Sequence, residues 1–283
     1  MYYGLVSLSV VLFGIQFLFS DKYQQASGTG KCASFLLTLL GSLSAILTIS
    51  ILSGFRFAVT TFSAIIAAMA ATNNILCTLC AQRTLAHGNL SVFSLFSMLG
   101  GMVLPCIAGI CFFDEAITLG KILSILFVGA ALPITITKGG SKKAYIYYLG
   151  VFFFNGMAGV YPKIYTALPY AKVTEAEYTI LLHCICVTLA AIALVINRKE
   201  LRKPSGKAVA FAAIGGSLNS IGNYILLIAL AVLPASVQYP FLTGGVIIVS
   251  TLIAALTSRK PSKKEILAVI LAFIGILLLV LVP

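Results

Sequence analysis

Apolar segments about as long as a bilayer is thick follow one another along this whole chain, separated by short polar loops. A helix rises about 1.5 Å per residue, so about 20 apolar residues carry it across the hydrocarbon core. In lipid every backbone N–H and C=O must be paired internally, and segments of this length achieve that as helices. Charged residues make up 9% of the chain, against about 25% in soluble domains. That is too little to coat a water-facing surface, so the expected fold class is an all-α integral membrane protein.

The sequence predicts ten transmembrane helices, at Tyr3–Ser20, Ala33–Ser53, Phe57–Cys80, Leu90–Phe113, Leu119–Thr137, Ala144–Tyr165, Glu175–Ile196, Lys207–Leu230, Ala235–Thr257 and Lys263–Val282. The first has no basic leader and is too long for a signal-peptide core, which makes it an uncleaved span. Short connections predict that neighbouring helices pack antiparallel. Breaks are marked by Lys138-Gly139-Gly140-Ser141-Lys142-Lys143, by Arg198–Pro204 and by Arg259-Lys260-Pro261-Ser262-Lys263-Lys264-Glu265. Glycine and proline disfavour helix there, and lysine resists burial in lipid.

Charge placement suggests an orientation. Of 19 basic residues, the odd-numbered loops hold all but Arg56, Lys121, Lys163 and Lys172. The positive-inside rule makes the odd loops cytoplasmic and puts both termini outside. The net charge of +12 thus faces the anionic lipid of the bilayer, the expected partner, and not nucleic acid, for which there is no basic aromatic groove. Seven cysteines, mostly within apolar runs, give no disulfide framework and read as small buried hydrophobes. Cys77 and Cys80 could share a helix face but lack further metal-ligating company. No cofactor and no metal site is implied. Gly28-Thr29-Gly30-Lys31 lacks the spacing and flanking residues of a phosphate loop. Asn89-Leu90-Ser91 matches a glycosylation sequon but sits at a helix mouth on the cytoplasmic side.

The chain also repeats itself. A shift of 144 residues lays Gly100-Gly101 on Gly244-Gly245, Ser91-Val92 on Ala235-Ser236, Thr118 on Ser262 and Ile122–Leu132 on Ile266–Ile276. Five spans per half is an odd number, so the halves (1–140 and 141–283) must run in opposite directions through one membrane domain. The charges agree, since Asp114 and Glu115 in one loop correspond to a basic cluster in the other. The expected architecture is two inverted five-helix repeats around a central cavity.

On these features the chain resembles the drug/metabolite transporter superfamily, and within it the EamA-like transporters. Phe113-Asp114-Glu115-Ala116-Ile117-Thr118, then Lys121 and a small-residue helix, looks like that family's Gly-Glu-x-hydroxyl turn before the last helix of a repeat. The second copy, Thr257-Ser258-Arg259-Lys260-Pro261-Ser262, has Arg259 where the family often has glutamate. Ala229-Leu230 followed by Pro234-Ala235-Ser236 is similar to the family's approach to its penultimate helix. The resemblance spans essentially the whole chain. It implies a cavity lined by the third and fourth helices of each repeat with help from the first. It also implies cytoplasmic termini, opposite to the charge count.

Polar residues inside spans are costly in lipid and usually face the bundle interior. The candidates for substrate binding are Gln16, Asn73, Asn74, Ser94, Asn155, Tyr161, Asn219, Asn223, Tyr224, Gln238 and Tyr239. Asn219 and Asn223 are four apart and share a helix face. Gly215 and Gly216 a turn earlier permit close approach, and Pro240 with Gly244-Gly245 softens the ninth span. Amides both donate and accept, which suits a neutral or zwitterionic solute. His183 is read as hydrogen-bonded structure in preference to a proton relay, and Lys163 as snorkelling to the interface or else pointing inward to favour an anion. No carboxylate lies mid-span, which counts against the drug–proton antiport of small multidrug resistance relatives.

The expected function is a secondary transporter that moves a small polar metabolite, amino-acid-like by preference, across the cytoplasmic membrane by alternating access. The alternative is a multidrug or lipid exporter with an aromatic, apolar cavity. An enzyme is not expected, because no nucleophile–base pair or carboxylate set lies within the spans. A ten-helix repeat pair can enclose a cavity alone, so a monomer is the simpler expectation.

Overall fold

The computed structural model describes residues 2–28, 30–87, 90–134, 145–201, 203–257 and 263–282, except the side chains at 82, 84–87, 90–95, 132, 254, 257 and 265. The sequon Asn89, the Lys138–Lys143 turn, Arg202 and the Ser258–Ser262 turn lie outside the described residues, as do the side chains of Ser91 and Ser94.

Ten α-helices occur among the described residues: α1 (Tyr2–Ser27), α2 (Lys31–Ser53), α3 (Thr61–His87), α4 (Leu90–Phe112), α5 (Leu119–Ile134), α6 (Tyr145–Ala167), α7 (Glu175–Ile196), α8 (Gly206–Leu230), α9 (Ala235–Thr257) and α10 (Lys263–Leu281). Six of these, α1, α2, α3, α7, α8 and α9, are long and apolar enough to cross a bilayer. In α4, α5 and α10 the described apolar runs are shorter: Phe96–Phe112, Leu119–Ala131 and Ile266–Leu281. Asn155, Lys163 and five tyrosines interrupt the apolar character of α6.

Burial is distributed as in a protein solvated by lipid. Leu43, Leu47, Ile51 and Leu52 stand outward on α2, Leu47 at 59% exposure, while Ser9, Ser42, Ser220 and Gln238 are buried. Water would favour the reverse, with polar groups out and large apolar groups in. Outward leucine and inward hydroxyl or amide suits hydrocarbon, where a polar group needs a partner inside the bundle.

The helix ends follow local chemistry. At α7 the Thr174 hydroxyl accepts from Glu177 N–H while the Glu177 carboxylate accepts from Thr174 N–H, a reciprocal capping box. Thr174→Ala is expected to cost about 1 kcal/mol, read as a lower thermal midpoint in mild detergent. An unchanged midpoint would show that α7 is held by packing alone. At α2 a left-handed Gly54 turns the chain, with its N–H on Ile51 and that of Phe55 on Ser50. The expected start of α3 at Phe57 is corrected to Thr61. Thr60 caps it by accepting from Ser63 N–H, and the preceding residues carry no helix. Likewise α1 runs past Ser20 to Ser27, helped by an i,i+4 bond from Gln25 to Asp21.

Packing also departs from expectation. Apart from α9 with α10, sequence neighbours meet only lightly; the most extensive pairings are α1 with α8, α4 with α6, α5 with α10 and α2 with α7, each joining the first half of the chain to the second. Small residues set these contacts. Gly216 of α8 lies against Gly41 of α2, where a Cβ on Gly216 would sit 2.4 Å from the Gly41 backbone. The same interface is bridged by Ser44 to the Ala213 carbonyl and by Thr48 to Ser217. The α1–α8 contact carries a bond from the Ser9 hydroxyl to the Gly222 carbonyl, 3.1 Å long.

Candidate functional site: a central amide-lined cavity

A cavity of about 500 Å³ lies where α1, α3, α4, α6, α7, α8 and α9 converge. Its lining holds no Asp, Glu, Lys or Arg among the described residues. Of the residues singled out from the sequence, Gln16, Asn74, Asn155, Asn219, Asn223, Gln238 and Tyr239 are brought together on its wall. Asn223 sits in the middle of α8 yet is exposed, because it opens into this space.

Three candidates lie elsewhere. Asn73 donates to the Phe154 carbonyl at 2.8 Å, tying α3 to α6, and with Tyr161 it lines a shallow groove on that outer face. Tyr224 packs beside Ile49 and Ile180 between α2, α7 and α8. One helix presents several faces, and residue type alone did not say which face each polar group takes. The side chain of Ser94 lies outside the described residues.

The amides are oriented consistently. Gln16 donates to Ser20, Asn74 to the Cys186 sulfur, Asn155 to the Ser97 carbonyl and Asn223 to the Asn219 carbonyl and side-chain oxygen. Gln238 donates to the Leu226 carbonyl at 3.1 Å. Each of these five N–H₂ groups thus gives at least one hydrogen bond to the protein. Gln238 Oε1 and the Tyr178 hydroxyl are buried without any hydrogen-bond partner, and both residues line the cavity. Tyr178 was not foreseen; it follows Glu175 and Glu177 in the first turn of α7, where attention fell on the helix end. His183 lines the cavity too, with Nδ1 3.2 Å from the buried Ser42 hydroxyl, a setting that fits the structural reading.

Side chains from several helices meet one another beside the cavity. Tyr239 donates to the Gly159 carbonyl at 2.8 Å. Tyr178 stacks on Tyr165 with ring centres 4.0 Å apart, and Tyr165 donates to the Val173 carbonyl. Beside them is an ion pair that sequence reasoning missed. Lys163 neither snorkels nor points into the cavity; it meets Glu115 at 2.7 Å, with side-chain exposures of 11% and 6%. Glu115 also accepts from the N–H groups of Ala235 and Ser236 and from the Ser236 hydroxyl. It thus satisfies otherwise orphaned donors at the start of α9. Asp114 in the left-handed region folds the chain back, bonding Glu115 N–H to the Gly109 carbonyl. Gly109 leaves room for the carboxylate, which a Cβ there would meet at 2.5 Å. Burial pushes the Glu115 carboxyl up, but Lys163, Ser236 and Ala235 outweigh it and hold it below the usual carboxylate range.

Among the described residues no three His, Cys, Asp or Glu converge to hold a metal ion. What the cavity can do is bind a small solute by hydrogen bonds against a wall that is otherwise mostly apolar, with Leu, Phe, Tyr, Met98 and Val246 among its residues.

No protein-family model and no curated protein matches this chain. Among solved proteins, one crystal structure superposes with a TM-score of 0.77 at 13% identity, covering 97% of this chain and 94% of its own. The chain thus shares a fold with that protein over nearly its full length.

Proposed function

We propose that this chain is a secondary transporter of a small polar metabolite, amino-acid-like by preference, working by alternating access in the cytoplasmic membrane. We assign it to the EamA-like drug/metabolite transporters, as ten spans in two inverted repeats, 1–140 and 141–283. The observation that carries the reading is a central cavity with no charged side chain among the described residues, walled by amides from both halves. A charge-free polar site in hydrocarbon binds and releases a neutral or zwitterionic solute without leaving a buried ion behind.

The pattern of helix contacts supports the inverted repeat. Exchanging each helix for the one five places on turns α1–α8 into α6–α3, α4–α6 into α9–α1 and α2–α8 into α7–α3, all of which occur. The glycines agree: Gly101 faces Asn155 of α6, and Gly245 faces Val10 of α1, the exchanged neighbour. Alternating access would come from rocking of one half against the other about this cavity.

The test is solute flux in proteoliposomes with the purified protein. Amino acids are expected to be taken up in exchange, and Asn223→Ala to lower that flux at least about tenfold. Its thermal midpoint should hardly move, because Asn223 bonds only to Asn219 on its own helix. Undiminished flux of polar solutes in Asn223→Ala would remove the amide wall from the mechanism. Flux of lipophilic cations alone would favour the aromatic exporter.

A further inference from the structure

The bond to Ser42 uses one ring nitrogen of His183 and leaves the other. Nδ1 meets the Ser42 hydroxyl at 3.2 Å, and Ser42 is 4% exposed, so the ring is held from behind. Nε2 makes no hydrogen bond among the described residues, and it is not one of the unpaired atoms sealed inside the protein, such as the Tyr178 hydroxyl and Gln238 Oε1. It is therefore accessible. With Thr179 and Leu182, His183 forms the stripe of α7 that lines the cavity, which is the space open to it. Asn219 lines the same cavity; its side-chain oxygen accepts from Asn223, while its N–H₂ is unspent and likewise accessible. Tyr178 of α7 and Leu227 of α8 share one packed cluster. From there both helices lead to their connection at 197–205, reaching His183 and Asn219 about 8 and 12 Å along.

His183 is also the one group on the described lining whose ordinary titration falls between roughly pH 5 and 8. α7 packs against α2, α3 and α8. The titratable side chains around it are phenols and thiols: Tyr178, Cys184 and Cys186 on α7, Cys77 on α3, Tyr224 on α8 and, across the cavity, Tyr239 on α9. α2 has none between Phe35 and Ser53. An imidazolium in the empty cavity would thus be an unpaired charge, which is costly away from water. A carboxylate on the solute would supply the missing partner.

We propose that His183 binds the carboxylate of the solute and holds a proton that crosses the membrane with it. The proton comes from water on the entry side, rests on the imidazole while the carboxylate is bound, and returns to water on the exit side, leaving His183 neutral. Nε2–H then donates to the carboxylate with the Asn219 N–H₂ as a second donor, and the Ser42 hydroxyl turns to accept from Nδ1–H. Because the imidazolium needs the carboxylate, an empty cavity carries no proton back. This inference rests on the central cavity being the transport site.

L-leucine and leucine methyl ester, which lacks the carboxylate, are the probe pair for the full chain. Calorimetry in mild detergent at about pH 7.5, repeated in buffers of different ionisation heat, counts the protons taken up with the ligand. Leucine is expected to bind with uptake of about one proton, and the ester at least about tenfold more weakly. His183→Gln keeps a neutral hydrogen-bonding side chain and is expected to abolish the proton uptake. Its thermal midpoint shows whether it is folded, and the proton count on the parent depends on no variant. In proteoliposomes with the potential clamped, one pH unit, acid outside, is expected to accumulate leucine up to about tenfold, and His183→Gln at best to equilibrate it. Failure of leucine to bind, binding without proton uptake, equal affinity for the ester, or undiminished proton uptake in folded His183→Gln would overturn the assignment. Leucine flux that ignores the pH gradient would refute the coupled proton and leave the transporter reading standing. Proton-linked leucine binding without flux would do the opposite.

Discussion

Glu115→Ala lowers the stability of the protein by about 3–5 kcal/mol, the range for removing one partner of a buried ion pair. The cost comes mainly from what remains. Lys163, its side chain 11% exposed, is left without its carboxylate partner, and the N–H groups of Ala235 and Ser236 lose their acceptor at the start of α9. The nearby Phe113 ring, 5.5 Å from the Lys163 ammonium, offers a far weaker attraction than a carboxylate. Removing both charges, as Glu115→Ala with Lys163→Met, is expected to recover a good part of the loss, since apolar replacements of buried pairs are often tolerated. Thermal unfolding in mild detergent is the readout. A single variant that melts like the parent would show that the pair contributes nothing net. The same site predicts acid sensitivity. A carboxyl held below its unfolded value of about 4.3 contributes stability that is present above that pH. The contribution is lost as pH falls through the lower folded value. The parent should therefore lose stability more steeply in acid than the double variant does.

Glu115 also marks the limit of what could be read in advance. The length of the apolar runs gave the helices, because in lipid an apolar run of that length has no other way to pair its backbone. Seven of the eleven candidate residues reach the cavity wall for a related reason: a polar group mid-span turns inward, and seven helices turn part of their inner face to the cavity. That argument does not choose among interior faces. Asn73 and Asn74 are adjacent, so they point about 100° apart on the helix; one reaches the cavity and the other bonds to α6. Nor does it see contacts between residues far apart in sequence. Glu115 and Lys163 each looked like loop or interface charges. Their pairing depends on Asp114 turning the chain back and on α6 lying beside α4. The expectation that sequence neighbours pack together holds for α9 with α10 but not for the other helices. A short loop limits how far the next helix begins, but small-residue faces decide which helix it packs on. Gly41 with Gly216 joins α2 to α8 across 175 positions, the difference of the two residue numbers.

Gly100→Ala is expected to be the most damaging single methyl group that can be added to this chain's helix contacts. The new Cβ would lie 2.0 Å from the Phe152 carbonyl oxygen and 2.7 Å from its carbon, both backbone atoms of α6. A flexible side chain could swing away from such a clash; a helix backbone must translate. Overpacking usually costs about 1–3 kcal/mol, and a backbone clash belongs at or above the top of that range. The displacement would also reach the cavity. Asn155 is one turn along α6 and donates to the Ser97 carbonyl of α4 at 2.6 Å, so separating the helices breaks that bond and frees the amide. Gly129→Ala is the control. A Cβ on Gly129 would meet only the ends of Met102 and Leu99, at 3.8 and 3.9 Å, which is ordinary contact, and replacing a helical glycine should even gain about 0.5–1 kcal/mol. Thermal midpoints of the two variants, purified side by side, are therefore expected to move in opposite directions from the parent. If Gly100→Ala melts at or above the parent, α4 and α6 do not meet through Gly100, and the cavity wall at Asn155 would have to be drawn differently.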